Sequence, residues 1–160
     1  MTSDHFHPWW HDGGYGNFTW VCLAAAAERT KRMQFETGVT SAVYTYNPGI
    51  IAQAFASLDV LYPGRISLGV GSGEAMNEVP LGFDWPDTRV RLARTTEAIN
   101  IIKKLWNEGK KSENGFVDFK GEYFSIRNAK LYTPPHSDNI PLYIAAVLKQ
   151  LKLPQNIVMD

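Results

Sequence analysis

The sequence predicts a parallel α/β fold. Extended and helical segments alternate along the chain, each bounded by cap or turn residues. A strand rich in glycine and branched apolar residues, Arg65-Ile-Ser-Leu-Gly-Val-Gly71, sits between two helical stretches. In addition, three polar clusters fall on the first loop or at the carboxyl ends of the predicted strands: Asp4-His5, Thr40-Ser41 and Ser72-Gly73-Glu74. Alternation of this kind marks a parallel sheet with helical crossovers, in which chemistry gathers at the carboxyl rim of the strands.

Taken in order, residues 1–16 have loop composition, being rich in His, Trp and Gly. Asn17 is placed to cap a helix from Phe18 to about Thr30, centred on Ala24–Ala27, because alanine is the strongest helix former. Met33 to Val39 reads as a short buried strand. Asn47-Pro48 opens a second helix, with Asn as cap and Pro in the first turn, and this helix ends near Leu61 before Pro63-Gly64. The strand 65–71 leads into a long loop over about 71–86. Pro86-Asp87 starts the longest helix, running to about Asn107, in which Val90, Leu92, Ala93, Ala98, Ile101, Ile102, Leu105 and Trp106 recur near helical spacing. Phe116 to Ser125 reads as a hairpin turning at Lys120-Gly121, and Pro141–Ala146 as a compact apolar strand.

Composition narrows the function. The chain has 160 residues, 44% hydrophobic and 20% charged, which suits a folded domain rather than a disordered one. Sixteen Lys and Arg balance sixteen Asp and Glu, so the chain lacks the basic excess of a dedicated nucleic-acid binder. No apolar run approaches the roughly 20 residues that cross a bilayer. A single cysteine, Cys22, rules out an intrachain disulfide, and no signal-peptide pattern opens the chain, so the expected setting is cytoplasmic. Cys22 is expected as a small core residue on its alanine-rich helix, and Trp20, Trp85 and Trp106 as packing residues.

Two motifs carry chemical interest. Gly69-Val-Gly-Ser-Gly-Glu74 follows a strand, but its spacing is not that of a dinucleotide fingerprint, and no Gly-Lys-Ser/Thr follows to make a phosphate loop. It describes a strand end where backbone can approach a flat ligand closely, since glycine has no Cβ. Glu74 is then either a solvated loop carboxylate or a rim carboxylate with a task, and spacing alone leaves both readings open. His5, His7 and His11 could ligate a metal, but no convincing acidic or cysteine partner accompanies them. With Phe6, Trp9 and Trp10 beside them they fit better a stacking surface with a histidine that gives or takes a proton near neutral pH.

Several motifs together are similar to the luciferase-like flavin and deazaflavin oxidoreductases. They are Ser3-Asp-His-Phe-His-Pro-Trp9, Glu28-Arg-Thr30, Tyr46-Asn-Pro48, Ala52-Gln-Ala-Phe-Ala56, the long run from Leu61 to Glu78, Leu105-Trp106, Phe119-Lys-Gly-Glu-Tyr123 and Tyr143–Ala146. The chain most resembles the branch that uses coenzyme F420, typified by F420-dependent glucose-6-phosphate dehydrogenases and secondary alcohol dehydrogenases. The resemblance implies a partial (β/α)8 TIM barrel over residues 1–146, without its first strand and its C-terminal units. It implies hydride transfer between an alcohol or sugar-phosphate CH–OH group and F420, and a homodimer in the full-length family. By position, His5 and Glu74 would be the proton-transfer pair, and Trp9 would lie near the substrate. Asp4, Ser41, Ser72, Gly73 and Asn77 would hold the deazaflavin, and Gly38-Val39 would form a non-proline cis peptide behind its ring. An FMN-dependent monooxygenase on the same fold is the alternative, and the Asp4-His5 and Glu74 pattern weighs against it.

Residues 147–160 depart from the family pattern. One choice of synonymous codons from Leu148 onward, read two bases later, restores a family-like lysine-alanine-alanine-lysine-isoleucine run. A frameshift near codon 147, in the gene or in its sequencing, is therefore expected. An open barrel segment leaves strand edges unpaired, so the chain alone is expected to be unstable, to aggregate or to recruit a partner, and to have little activity. An inactive truncated product is the third reading.

Overall fold

A computed structural model describes residues 1–10, 12–110 and 114–145. The off-pattern tail and its proposed change of frame lie outside these residues, as do His11 and Lys111, the latter expected from sequence on a solvated surface. The element order is α1 (Thr19–Glu28), β1 (Phe35–Glu36), β2 (Thr40–Ser41), α2 (Pro48–Leu61), β3 (Ile66–Gly71), α3 (Ala75–Glu78), a 3-10 turn (Val79–Leu81), α4 (Thr88–Glu108), β4 (Val117–Lys120), β5 (Ser125–Ala129) and β6 (Leu142–Ile144).

The sheet is parallel, as the alternation predicts, and β3 is its centre. Phe35 and Glu36 pair with Ile66 and Ser67, and Thr40 and Ser41 pair with Val70 and Gly71, so β1 and β2 are two halves of one interrupted strand. On the other side β6 runs beside Leu68–Val70. Thr2 forms a parallel bridge with Thr37, so the opening residues, expected to be loop, begin as a sheet edge. This is the strand-by-strand neighbour order of an α/β barrel segment.

The strand expected as one piece over 33–39 is broken at Gly38-Val39, where the peptide is cis. At the break a side chain takes over the ladder. Thr37 Oγ1 donates to Gly69 O at 3.0 Å and accepts from Gly69 N at 3.2 Å. A Cβ on Gly69 would collide with the Thr37 carbonyl, and one on Gly71 with the Val39 side chain. Glycine at both positions is a requirement of close approach between the strands.

The helices form for local reasons and stay for tertiary ones. Asn47 caps α2 by accepting from Gly49 N at 2.8 Å, with Pro48 in the first turn, a cap worth about 1 kcal/mol. Asp87 caps α4 by accepting from Arg89 N and Val90 N. For α1, however, the N-cap is Phe18 with no side-chain bond, so Asn17 does not serve. That helix buries Thr19, Trp20, Leu23 and Ala27, which turns Cys22 to the exposed face and overturns its expected place in the core. Trp20 and Trp106 do pack in the core, and Trp106 Nε1 donates to Ala52 O at 2.9 Å.

The core lies between β3, α2 and α4, on Ile51, Phe55, Leu68, Val70, Ile101 and Ile102 among others. Burial along β3 is nearly continuous: Ile66, Leu68 and Val70 enter the core, while Gly69 and Gly71, alternating with them, are covered by Thr37 and Val39. The stretch over 71–86, expected as loop, contains α3 and the 3-10 turn. The hairpin extends to Ala129, and its turn is held by Glu97, whose carboxylate accepts from Glu122 N, Tyr123 N and Phe124 N at 2.8, 3.0 and 3.0 Å. The buried Asp59 ties the approach to β6, accepting from Ser137 N at 2.7 Å and Ser137 Oγ at 2.6 Å.

Phe55 is fully buried while Ile50, on the same helix, is 53% exposed. Phe55→Ala should therefore cost about 3–5 kcal/mol, and Ile50→Ala no more than about 0.5 kcal/mol. Urea denaturation followed by far-UV circular dichroism checks both.

Candidate functional site

The carboxyl ends of β2 and β3 and the loop after Thr2 meet at one rim. There His5 Nε2 stands 3.5 Å from Glu74 Oε2, an ion-pair separation, with the imidazole largely covered and the carboxylate about half exposed. His5 Nδ1 and Glu74 Oε2 are both buried atoms without a hydrogen-bond partner among the described residues. Buried polar atoms rarely stay unsatisfied without a reason, and unmet capacity at a rim is what a ligand would complete. Trp9 tilts over the His5 ring at 5.0 Å between centroids and is 61% exposed, so one of its faces remains open to solvent. Glu74 thus stands at the rim against a histidine, with about half of its side chain still exposed.

Asp4 lies inward of His5. Its Oδ2 accepts from Thr40 Oγ1 at 2.8 Å and its Oδ1 from Tyr46 OH at 3.2 Å, and Trp20 Nε1 donates to Thr40 Oγ1 at 3.4 Å. Burial holds the Asp4 carboxyl above the ordinary aspartate range, opposed by those hydrogen bonds and by the charge of His5. Burial and the neighbouring Asp4 push the Tyr46 hydroxyl well above its usual value.

Gly38-Val39 forms the expected cis peptide and presents Val39 beside Gly71. Ser41 Oγ donates to Glu78 Oε1 in a short contact, and Thr45 Oγ1 donates to Glu78 Oε2 at 2.8 Å. Gly73 sits at φ +77°, a conformation that favours glycine. Ser72 is half-buried at the end of β3. Asn77 is buried, and its Oδ1 accepts from Phe6 N at 2.9 Å and His7 N at 3.2 Å, holding the loop that carries His5.

Asp4, His5, Ser41, Ser72, Gly73, Glu74 and Asn77 are thus gathered at the first loop and the ends of β2 and β3, with Trp9 against His5. Sequence reasoning placed Thr40 at this rim but missed Thr45, Tyr46 and Glu78 as members of it. For Glu78 a signal existed: it lies four residues after Glu74, one helical turn away on the same face.

This fold and rim define a member of the luciferase-like monooxygenase family, and the chain belongs to that family, which it matches over residues 1–152. It is 48% identical over 147 residues to the F420-dependent glucose-6-phosphate dehydrogenase of Rhodococcus erythropolis, covering 91% of this chain and 42% of that protein. It is 43% identical to the protein of the same description from Mycobacterium avium, again over 147 residues. Among solved structures, an F420-dependent secondary alcohol dehydrogenase in complex with an F420-acetone adduct superimposes with a TM-score of 0.81 at 44% identity, over 89% of this chain and 41% of that one. The chain therefore spans about 42% of the length of the curated relatives it matches.

Because Asp4 is held above its unfolded value, the folded state binds its proton more tightly than the unfolded state does. Its contribution favours folding at low pH and is lost as pH rises from the ordinary aspartate value toward the raised one. Asp4→Asn should remove that part of the slope. Urea midpoints measured from about pH 4 to 7 for both chains check it: the wild type should lose stability relative to the variant as pH rises.

Proposed function

We propose that the rim is the deazaflavin-binding half of an F420-dependent oxidoreductase acting on a CH–OH group, of an alcohol or a sugar phosphate. The observation that carries this reading is the facing of His5 Nε2 and Glu74 Oε2, each residue with an unsatisfied buried atom. The names of the relatives supply the cofactor class. The glycines at the end of β3 do not themselves make room for a flat ring, because Thr37, Val39, Ser41 and Glu78 fill the space beside them; what fits such a group is the pair of titratable rim side chains with capacity left over.

A bound F420 would supply the hydride acceptor, at a ring carbon. Oxidation of an alcohol also releases a hydroxyl proton, and the reduced ring needs one at nitrogen, so two proton-handling groups are useful. His5 and Glu74 are the two candidates, one on the substrate side and one on the ring side. His5 exchanges a proton at either ring nitrogen, and Glu74 at Oε2. Trp9 shields His5 from solvent on one face and presents the other to substrate. Asp4 holds the base of the His5 loop through Thr40 and Tyr46 and offers its remaining capacity to the cofactor. Ser41, Ser72, Gly73 and Asn77 complete the cofactor wall in this reading. A homodimer and a cytoplasmic setting, from the resemblance and the cysteine usage, belong to the same proposal.

One observation favours a second reading. Strand β6 pairs only with β3 among the described residues, and Tyr143 and Ile144 on it are exposed. An apolar edge strand invites association with another chain, which fits a truncated product that associates without catalysing. Size-exclusion chromatography distinguishes the two: aggregation or mixed oligomers without cofactor binding supports the second.

Titration of the 160-residue chain with oxidised F420, followed by fluorescence quenching, should give saturable binding, with FMN binding more weakly. Glu74→Gln should weaken it, and should lower any alcohol-dependent F420 reduction by about 10²–10⁴-fold, the usual contribution of a proton-transfer group. Tighter binding of FMN than of F420 would instead support the flavin monooxygenase alternative.

A further inference from the structure

Glu78 is among the least accessible residues of the molecule, at 0% exposure, yet the proton-transfer reading gives it nothing to do. No Lys or Arg pairs with it among the described residues; its carboxyl is met by the hydroxyls of Ser41 and Thr45. A carboxyl buried against two hydroxyls is costly compared with an apolar side chain of similar size. Its position shows what it supports. A Cβ on Gly73 would lie 2.6 Å from Glu78 Oε1 and 2.9 Å from Ser41 Oγ, so the Glu78–Ser41 pair is the floor on which the left-handed Gly73 rests. The next residue is Glu74. Its carbonyl accepts from Asn77 N at 3.0 Å and Glu78 N at 3.1 Å, closing the single turn of α3. From the same turn Asn77 Oδ1 reaches across to Phe6 N and His7 N and holds the His5 loop. One turn of helix therefore carries both partners of the ion pair: Glu74 on its own backbone, His5 through Asn77.

We propose that Glu78 is a positioning residue, which locks the Gly73 turn against the ends of β2 and thereby sets the separation of His5 and Glu74. It deepens the functional reading above and rests on it for its meaning, but the geometric claim is separately measurable. Its burial keeps the Glu78 side chain from touching a ligand directly, so its effect must pass through Gly73, Ser41 and Thr45.

The test uses the ¹⁵N-labelled full chain and the imidazole resonances of His5 in ¹H–¹⁵N NMR spectra. Glu74→Gln breaks the pair and supplies the reference displacement. Glu78→Ala should move the His5 resonances in the same direction by at least half of that displacement. Glu78→Gln, which keeps the shape and an accepting oxygen, should return them toward wild type. Should Glu78→Ala fail to fold, the Ser41→Ala/Thr45→Val double variant removes the same two contacts and should shift His5 likewise. F420 affinity should fall about tenfold in Glu78→Ala, a change of about 1.4 kcal/mol. Unmoved His5 resonances in a folded Glu78→Ala chain or in the double variant would overturn the proposal. So would the absence of any displacement in Glu74→Gln, since no pair would then exist to position. Failure of the wild-type chain to bind F420 would defeat the functional reading alone, leaving the His5 displacements to decide the role of Glu78.

Discussion

The close crossing of Thr37 and Gly69 is the constraint on which the rim depends. At this point the strand formed by β1 and β2 is interrupted, and the Thr37 hydroxyl bonds both the N–H and the carbonyl of Gly69. The sheet survives the interruption because a side chain replaces two missing ladder bonds. The replacement works only if β3 has no side chain there, which is why Gly69 and Gly71 stand in an otherwise branched apolar strand. Beyond the crossing, β2 resumes against Val70 and Gly71, which brings Ser41 beside Gly73 and sets the depth of everything built on that loop.

The rim itself is held mainly by hydroxyls and amides rather than by ion pairs. Asp4 is met by Thr40 and Tyr46, Glu78 by Ser41 and Thr45, and Asn77 by the backbone of Phe6 and His7. Each of these partners is short or locked by packing, so the carboxyls are held in single orientations. Lys or Arg in the same places would compete with any anionic or polar ligand and would satisfy the very atoms that stand unmet on His5 and Glu74. Buried networks of this kind cost stability if partly broken but confer one geometry when complete. Stability is supplied elsewhere, by the apolar packing of α2 and α4 over β3, so the rim is free to carry polar groups that contribute little to it.

Much of the architecture was legible because it follows from local chemistry. The caps at Asn47 and Asp87, the period of the long helix and the glycine-rich strand each announce themselves within a few residues. The three polar clusters at strand ends pointed to one rim, and the structure gathers them there. The failures are equally physical. Asn17 has a capping side chain, but α1 starts one residue later, where its Trp20 can reach the core. Cys22 is small and apolar in an alanine run, yet composition cannot say which face of a nearly uniform helix turns inward. The glycine- and proline-rich stretch after β3 reads as loop, while a single turn of helix forms there because Asn77 and Glu78 find partners on segments distant in the chain.

Local sequence was thus sufficient for the long helices, the central strand, the parallel sheet and the family resemblance, though not for α3 or the break between β1 and β2, since caps, turn residues and hydrophobic period act over one or two helical turns. The tertiary fold alone decided which polar groups face one another. His5 and Glu74 are 69 positions apart, since 74 − 5 = 69, and their 3.5 Å approach depends on the Thr37–Gly69 crossing, the Asn77 clamp and the buried Glu78 together. No short stretch of sequence encodes that distance, because it is set by how closely two strands can pass, and that depends on atoms absent from glycine and hydroxyls supplied by another segment.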